Sequence, residues 1–269
     1  MPITRQSHSV LTGLASALML VLAGCSGTDR QPAGGEAKPA DEILILCGTS
    51  FARPAEALAR QYEAETGVKV TLSMGGSEDL LPQVKTHAAG DLFVTHDPYM
   101  AETEKAGAML RWVQVGDLAP ALVVPKGNPQ KIERLEDLAR PDLKVLAPNP
   151  EFATCGQMLM TLLEKKGIKD AVLANIDNRL FRSHSEIGNN MKLGSGDAAI
   201  MWNGVAYNFL DALDIVPIPY EYDTETRVGV IGLAYSKNKE MVEQFLKYVE
   251  EHGQQVFAEF GYVKEVKTQ

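Results

Sequence analysis

Cysteine is scarce in this chain of 269 residues: Cys25, Cys47 and Cys155 are the whole supply. None of them lies at a zinc-type spacing. Other signatures are missing too. There is no HExxH, no nucleophile elbow and no P-loop, so the motifs that announce hydrolytic or nucleotide chemistry are absent. No internal repeat of roughly 20–50 residues recurs, which excludes a solenoid or propeller. Positive charge is also in deficit. The formal net charge of -9 makes nucleic acid and anionic membrane surfaces poor partners. The longest apolar run, residues 10–23, is too short for a comfortable membrane span.

That run is informative for another reason. It follows Arg5 and His8 and ends in Leu22-Ala23-Gly24-Cys25. This is the layout of a secretory leader with a small-residue cleavage site. The ending resembles the lipobox of bacterial lipoproteins, which implies residues 1–24 as a signal peptide and a lipid on Cys25. Residues 26–41 hold Gly, Pro and charges without an apolar period and read, with Cys25, as a flexible tether. The expectation is a globule anchored on the periplasmic or extracytoplasmic face of the cell membrane. In such an oxidising compartment Cys47 and Cys155 are free to pair or to stay as buried thiols, and spacing does not choose between them.

From residue 42 onward, short β-like runs alternate with helical ones, which predicts an α/β fold with mainly parallel strands. "EILILC" (residues 42–47) is continuously apolar, as a strand covered on both faces should be. The helix after it carries Ala55, Leu58, Ala59 and Tyr62 on one face, with Gly67 as its stop. The second helix, from near Ser77, contains Pro82 well inside it, which predicts an irregular first turn. The pattern restarts after "APALVVPKGNP" (residues 119–129), and a last amphipathic helix shows Val242, Phe245, Leu246 and Val249 on one face behind Asn238 as its cap. Two α/β lobes joined by crossing strands explain this more simply than one wide sheet. Residues 42–120 with 228–269 form the expected lobe I, and residues 121–227 form lobe II.

Two stretches, "LCGTSFARP" (residues 46–54) and "LSMGGSEDL" (residues 72–80), each run from a strand through Gly and Ser into a helix. A helix start has unpaired N–H groups and a partial positive charge, so with a serine hydroxyl it can hold an anion. Ser and Gly in such places are also ordinary caps. Position favours a site, because open α/β sheets bind ligands beyond the carboxyl ends of their strands.

The segments "FARPAEALARQYEAETGVKVTLSMGGSEDL", "GDLFVTHD", "LVVPKGNP", "LEDLARPDLKV", "GSGDAAIMW" and "GQQVFAEFGY" together resemble the molybdate- or tungstate-binding periplasmic proteins of ABC transporters. The resemblance covers residues 43–263 in order. It implies a type II periplasmic binding fold with one tetrahedral oxyanion in a cleft between the lobes, no cofactor, no metal other than molybdenum or tungsten within that oxyanion, and a monomer that delivers its ligand to a membrane permease. Carried over residue by residue, it implies Ser50 and Ser77 as hydroxyl donors, the amide of Cys155 in the turn Thr154-Cys155-Gly156 as a backbone donor, a further donor at His184, and Trp202 where the family has a tyrosine. Three of the five depart from the family pattern. Trp202 offers an indole N–H for a phenol, Cys155 is bulkier than alanine, and His184 adds a donor whose charge depends on pH. Core for Trp202 and surface for His184 remain the alternatives. Arg53 and Arg182 lie close enough in sequence to add positive field.

Two rival functions stay open. The first is the same fold binding another solute: a sulfate-like oxyanion, set apart from molybdate and tungstate only by pocket size, or ferric ion, which would need hard anionic ligands, with Tyr220-Glu221-Tyr222 as the nearest set. An enzyme would use Cys155 or Cys47 beside His184, with a helix start lowering the thiol pKa.

Overall fold

The computed structural model describes residues 42–216 and 226–263. The leader, Cys25, the tether and the Tyr220-Glu221-Tyr222 triplet lie outside the described residues. Among those described, no helix is long and apolar enough to cross a membrane.

The elements run in the order β1 (Glu42–Gly48), α1 (Ala52–Thr66), β2 (Lys69–Gly75), α2 (Ser77–Lys85), β3 (Leu92–His96), α3 (Tyr99–Lys105), β4 (Met109–Leu118) and β5 (Pro120–Pro125). After these come β6 (Val145–Pro148), α4 (Thr154–Lys165), α5 (Lys169–Ile176), β7 (Leu180–Phe181), α6 (His184–Lys192), β8 (Ala198–Trp202), α7 (Asn203–Ala206), β9 (Leu213–Val216), β10 (Thr226–Leu233) and α8 (Lys239–Glu259). They form two five-stranded sheets, ordered β2-β1-β3-β10-β4 and β7-β6-β8-β5-β9.

The sheets are mixed rather than mainly parallel. β10 pairs antiparallel with β3 and β4, and β5 pairs antiparallel with β8 and β9. One reversed strand in each sheet therefore halves the parallel pairings. The reversal is built into the connectivity, since β5 and β10 are the strands entered on crossing from one sheet to the other. An apolar run cannot reveal strand direction, so periodicity alone missed this.

Local chemistry explains most of the boundaries. Gly67 ends α1 at φ 73°, donating its N–H to the Glu63 carbonyl, a left-handed stop that costs glycine little. α2 passes through Pro82 without breaking. Its first turn tightens instead, with Asp79 and Leu80 both donating to the Gly76 carbonyl. Asn238 precedes α8 but does not cap it with its side chain, which reaches the Glu42 carbonyl at 3.4 Å. The expected apolar face of α8 is buried, against β4, β10 and α1.

The crossing point is held by one buried asparagine. Asn203, fully buried at the start of α7, accepts from the Ala119 N–H at 3.2 Å and donates to the carbonyls of Asp117 and Val263 at 3.2 and 3.1 Å. Its backbone N–H also donates to the Ala119 carbonyl. One amide thus ties the β4–β5 crossover to the second sheet and to the returning C-terminal segment. Asn203→Ala removes three side-chain hydrogen bonds from the crossover, one of them to the buried Ala119 N–H, and should cost roughly 2–4 kcal/mol. Urea unfolding of the two proteins measures this, and an unchanged midpoint would show that the crossover is held by packing alone.

Candidate functional site

The carboxyl ends of the two sheets face one cavity of about 230 Å³. Its walls are the turns where strands become helices. From the first sheet come Gly48 to Phe51 after β1, Gly76 to Asp79 after β2, and His96 with Tyr99 after β3. From the second come Phe152 to Thr154 before α4, Arg182 to Ser185 around the start of α6, and Trp202 at the end of β8.

The two serine turns lie side by side because β1 and β2 are parallel neighbours, with Gly48 opposite Gly75. They approach so closely that a Cβ on Gly48 would stand 2.9 Å from Ser77 Oγ. Glycine is required there for the approach itself. Thr95, fully buried on β3, donates to Ser77 Oγ at 2.9 Å, which leaves the Ser77 proton for the cavity. Ser50 occupies a 3-10 turn, Thr49–Phe51, and its carbonyl accepts a hydrogen bond from the hydroxyl of Tyr262. The phenol is fixed in turn by contacts with Phe51 and Phe257, with ring centroids 5.6 Å away in each case.

On the opposite side, Thr154 and His184 each begin a helix. A capping box between Ser183 and Glu186 holds the start of α6. His184 is buried, not a surface residue, and its Nδ1 accepts the Trp202 backbone N–H at 3.4 Å. Trp202 is both core and wall, 3% exposed yet lining the cavity. The Cys155 side chain is fully buried in the core, and Ala153 and Thr154 line the space beside it; the donor expected here is the Cys155 backbone amide, which lies in the first turn of α4. The helix turns the Cys155 side chain inward one position after Thr154. Gly156 allows the tight seat, since a Cβ there would meet the Pro148 carbonyl at 2.5 Å.

Of the two arginines, Arg182 lines the cavity, stacked over Phe152 at 4.3 Å and 3.5 Å from an Asp79 carboxylate oxygen across the cleft. Arg53 does not. It donates to Asn208 at 2.7 Å and thereby links α1 to the second sheet's side. Tyr99 and Thr154 both line the cavity, one from each side; burial raises the Tyr99 phenol, and the Thr154 side chain partly offsets that rise. Sequence reasoning missed His96, Tyr99 and Thr154. His96 ends a strand within the quoted "GDLFVTHD", and its position at a strand's carboxyl end was the available signal.

The two histidines of the wall are buried, and burial sets their electrostatics. Burial pushes His96 down to about 4, partly opposed by its bond to the Asp97 carbonyl. Burial, then the neighbouring His96, pushes His184 down to about 3. Both imidazoles are neutral at pH 7. Burial also raises Glu78, whose carboxyl stands beside Asp79 on the α2 wall. Cys47 and Cys155 are buried free thiols, and burial raises both. The desolvation that raises Cys155 outweighs any help from the helix start, so neither thiol is an activated nucleophile. Among the described residues no group of three or more His, Cys, Asp or Glu could hold a metal ion.

Two predictions follow from these pKa values and thiols. The unfolded chain takes up protons on two histidines below about pH 6.5 that the folded protein refuses until about pH 4 and 3. Stability is therefore full above that range and falls with pH, by about 2 kcal/mol per histidine at pH 5. Denaturant midpoints of the unliganded protein at pH 7 and 5 measure this, and equal midpoints would contradict it. Iodoacetamide should label neither Cys47 nor Cys155 in the native protein, as read by mass spectrometry, whereas both should react once it is unfolded.

The chain matches the model of the bacterial extracellular solute-binding protein family over residues 43–263. Several solved structures share the fold. A substrate-binding domain from Clostridium difficile assigned to a molybdenum ABC transporter superposes with a TM-score of 0.66 at 20% identity, covering 84% of this chain and 99% of that one. The sulfate-binding protein SubI from Mycobacterium tuberculosis H37Rv gives 0.67 at 20% identity, with 82% and 86% covered. A ferric binding protein from Campylobacter jejuni gives 0.63 at 16% identity, with 81% and 85% covered. At such identities these likenesses bear on architecture, which is that of the type II periplasmic binding proteins. The match over nearly the whole folded region goes further: the chain belongs to the bacterial extracellular solute-binding proteins, a family that binds rather than catalyses.

Proposed function

We propose that this solute-binding protein of ABC transporters takes a tetrahedral oxyanion, molybdate or tungstate, into the cavity between its sheets and hands it to a membrane permease. One observation carries the reading. Ser50 and Ser77 on one side, and Thr154 and His184 on the other, all stand at helix starts on the walls of one cavity. Every one of them is a neutral donor. In a closed, water-poor space such donors and the helix dipoles are worth more than in water, so no full countercharge is required.

The wall also carries features that oppose an anion. Glu78 and Asp79 lie in the first turn of α2, where they favour the helix dipole. Asp79 is answered by Arg182, and Glu78 is shifted toward its neutral form by burial. In this reading Trp202 and the hydroxyl of Tyr99 close the polar shell, and the Cys155 amide in the first turn of α4 is a further donor. Ferric ion, the cargo named for the Campylobacter jejuni structure, has less support here, because among the described residues no group of three or more His, Cys, Asp or Glu could hold a metal ion.

Lipidation of Cys25 and release of residues 1–24 complete the proposal, giving a monomer tethered to the membrane beside its permease. Mass spectrometry of the protein purified from membranes tests this part, and an unmodified Cys25 would refute it.

The ligand is tested by thermal melts with molybdate, tungstate, sulfate and ferric citrate. At about 1,000-fold over Kd, the true ligand adds roughly 4 kcal/mol of stability. Molybdate and tungstate should raise the midpoint most. Ser50→Ala and Ser77→Ala should each weaken binding by about 1–3 kcal/mol. A midpoint raised only by ferric citrate, or a double serine variant that binds as tightly as the parent, would overturn the reading.

A further inference from the structure

The two histidines of the cavity differ in a way that determines which protons the site can hold. His96 Nδ1 lies 2.6 Å from the Asp97 carbonyl oxygen, which can only accept. Nδ1 therefore carries the ring proton, and Nε2 of the neutral ring is a bare lone pair. His184 is the reverse. Its Nδ1 accepts the Trp202 N–H, so its proton is on Nε2. Neither Nε2 has a hydrogen-bond partner among the described residues, although both residues are only 7% exposed and both line the cavity. Buried polar nitrogens without partners are uncommon and call for an occupant. The cavity thus presents one imidazole donor and one imidazole acceptor, from opposite sheets, around the Trp202 ring at 5.7 and 5.8 Å.

A fully deprotonated oxyanion has only acceptor oxygens. Against His96 Nε2 it would set lone pair against lone pair unless a proton lay between them. Building on the oxyanion reading, we propose that the site takes up its ligand together with one proton, shared between a ligand oxygen and His96 Nε2, and that His96 is the residue that imposes this. The proton comes from solvent, and no covalent bond to the ligand forms or breaks. His184 cannot take that part, because its acceptor nitrogen already receives the Trp202 N–H. It remains the neutral donor.

The surroundings of His96 are consistent with this. Phe51, Tyr99 and Trp202 pack against its ring. The neighbouring Asp97 is paired with Arg227 at 2.9 Å. Asp79 is paired with Arg182 across the cleft, and His184 is neutral. With the cavity empty, burial keeps the ring uncharged, and a dianion at contact distance reverses that preference. Glu78 is the remaining wall group able to compete for the proton.

Isothermal titration with molybdate and sulfate, in buffers of low and high ionisation enthalpy, counts the protons taken up. About one proton per ligand is expected, with Kd weakening about tenfold per pH unit between about pH 5 and 7. Affinity is highest at low pH and is lost as pH rises through the liganded value of His96. His96→Gln should flatten the pH profile, while Glu78→Gln should keep it. Binding with no proton uptake and a flat profile would overturn the inference and leave the oxyanion reading standing. A slope that survives in His96→Gln and vanishes in Glu78→Gln would move the proton to Glu78. Failure of any oxyanion to bind would remove both. The proton count on the unmodified protein stands whatever the variants do.

Discussion

Everything at this site follows from helix starts that point at one another across a narrow space. Four of them, before α1, at α2, at α4 and at α6, bring unpaired N–H groups and partial positive charge to the same cavity. Such ends repel one another when nothing lies between them, and in the oxyanion reading proposed above a shared anion relieves that repulsion. The polar bridges across the cleft, Arg182 to Asp79 and Arg53 to Asn208, are exposed and individually weak. They set alignment more than they supply energy.

The alignment has to be rigid, because hydroxyl donors placed an ångström off lose most of their value. Rigidity comes from behind the wall. Tyr262, on the returning C-terminal segment, donates to the Ser50 carbonyl and packs on Phe51, while its own carbonyl accepts from the Asp117 N–H. Asn203 binds the same crossover from the other side. The serine turn, the crossover strand and the end of the chain are thereby one packed unit, and Thr95 does for Ser77 what Tyr262 does for Ser50. A chain segment remote in sequence fixes the position of a residue at the cavity.

This explains what could be read from the sequence and what could not. Strand and helix positions were legible wherever apolar period and glycine stops agreed, as in α1, β8 and the buried face of α8. Ser50 and Ser77 were legible because a strand, a glycine and a hydroxyl before a helix form a local pattern. β4 and α5 were overlooked: the first alternates polar and apolar residues at an edge, and the second is short with little amphipathic contrast. Strand reversal was illegible because direction is a property of pairing partners. Thr154 is on the wall and the Cys155 side chain is in the core, because one residue on a helix is a rotation of about 100°, so a turn read from sequence does not show which of its side chains face the cavity. His96 and Tyr99 belonged to a segment whose role depended on which strand it neighbours, and that is decided by the sheet order.

The neutral imidazoles show how selectivity and stability are set against each other. Keeping His96 and His184 uncharged costs little at neutral pH, but burying them leaves two ring nitrogens facing a space without protein partners. A phenylalanine at either position would suit the empty protein better, since it brings no polar nitrogen to satisfy. The histidines make sense only if something in the cavity answers both, a donor on one side and an acceptor on the other. An unpaired lysine or arginine pointing inward would attract any dianion over distance, with little regard to shape, whereas Arg182 on the wall is paired with Asp79. Neutral donors in a dry cavity act only at contact, so a ligand that fits gains their full strength and one that does not gains almost none. The absence of strong attraction at long range is what gives size and protonation state their leverage over which solute is kept.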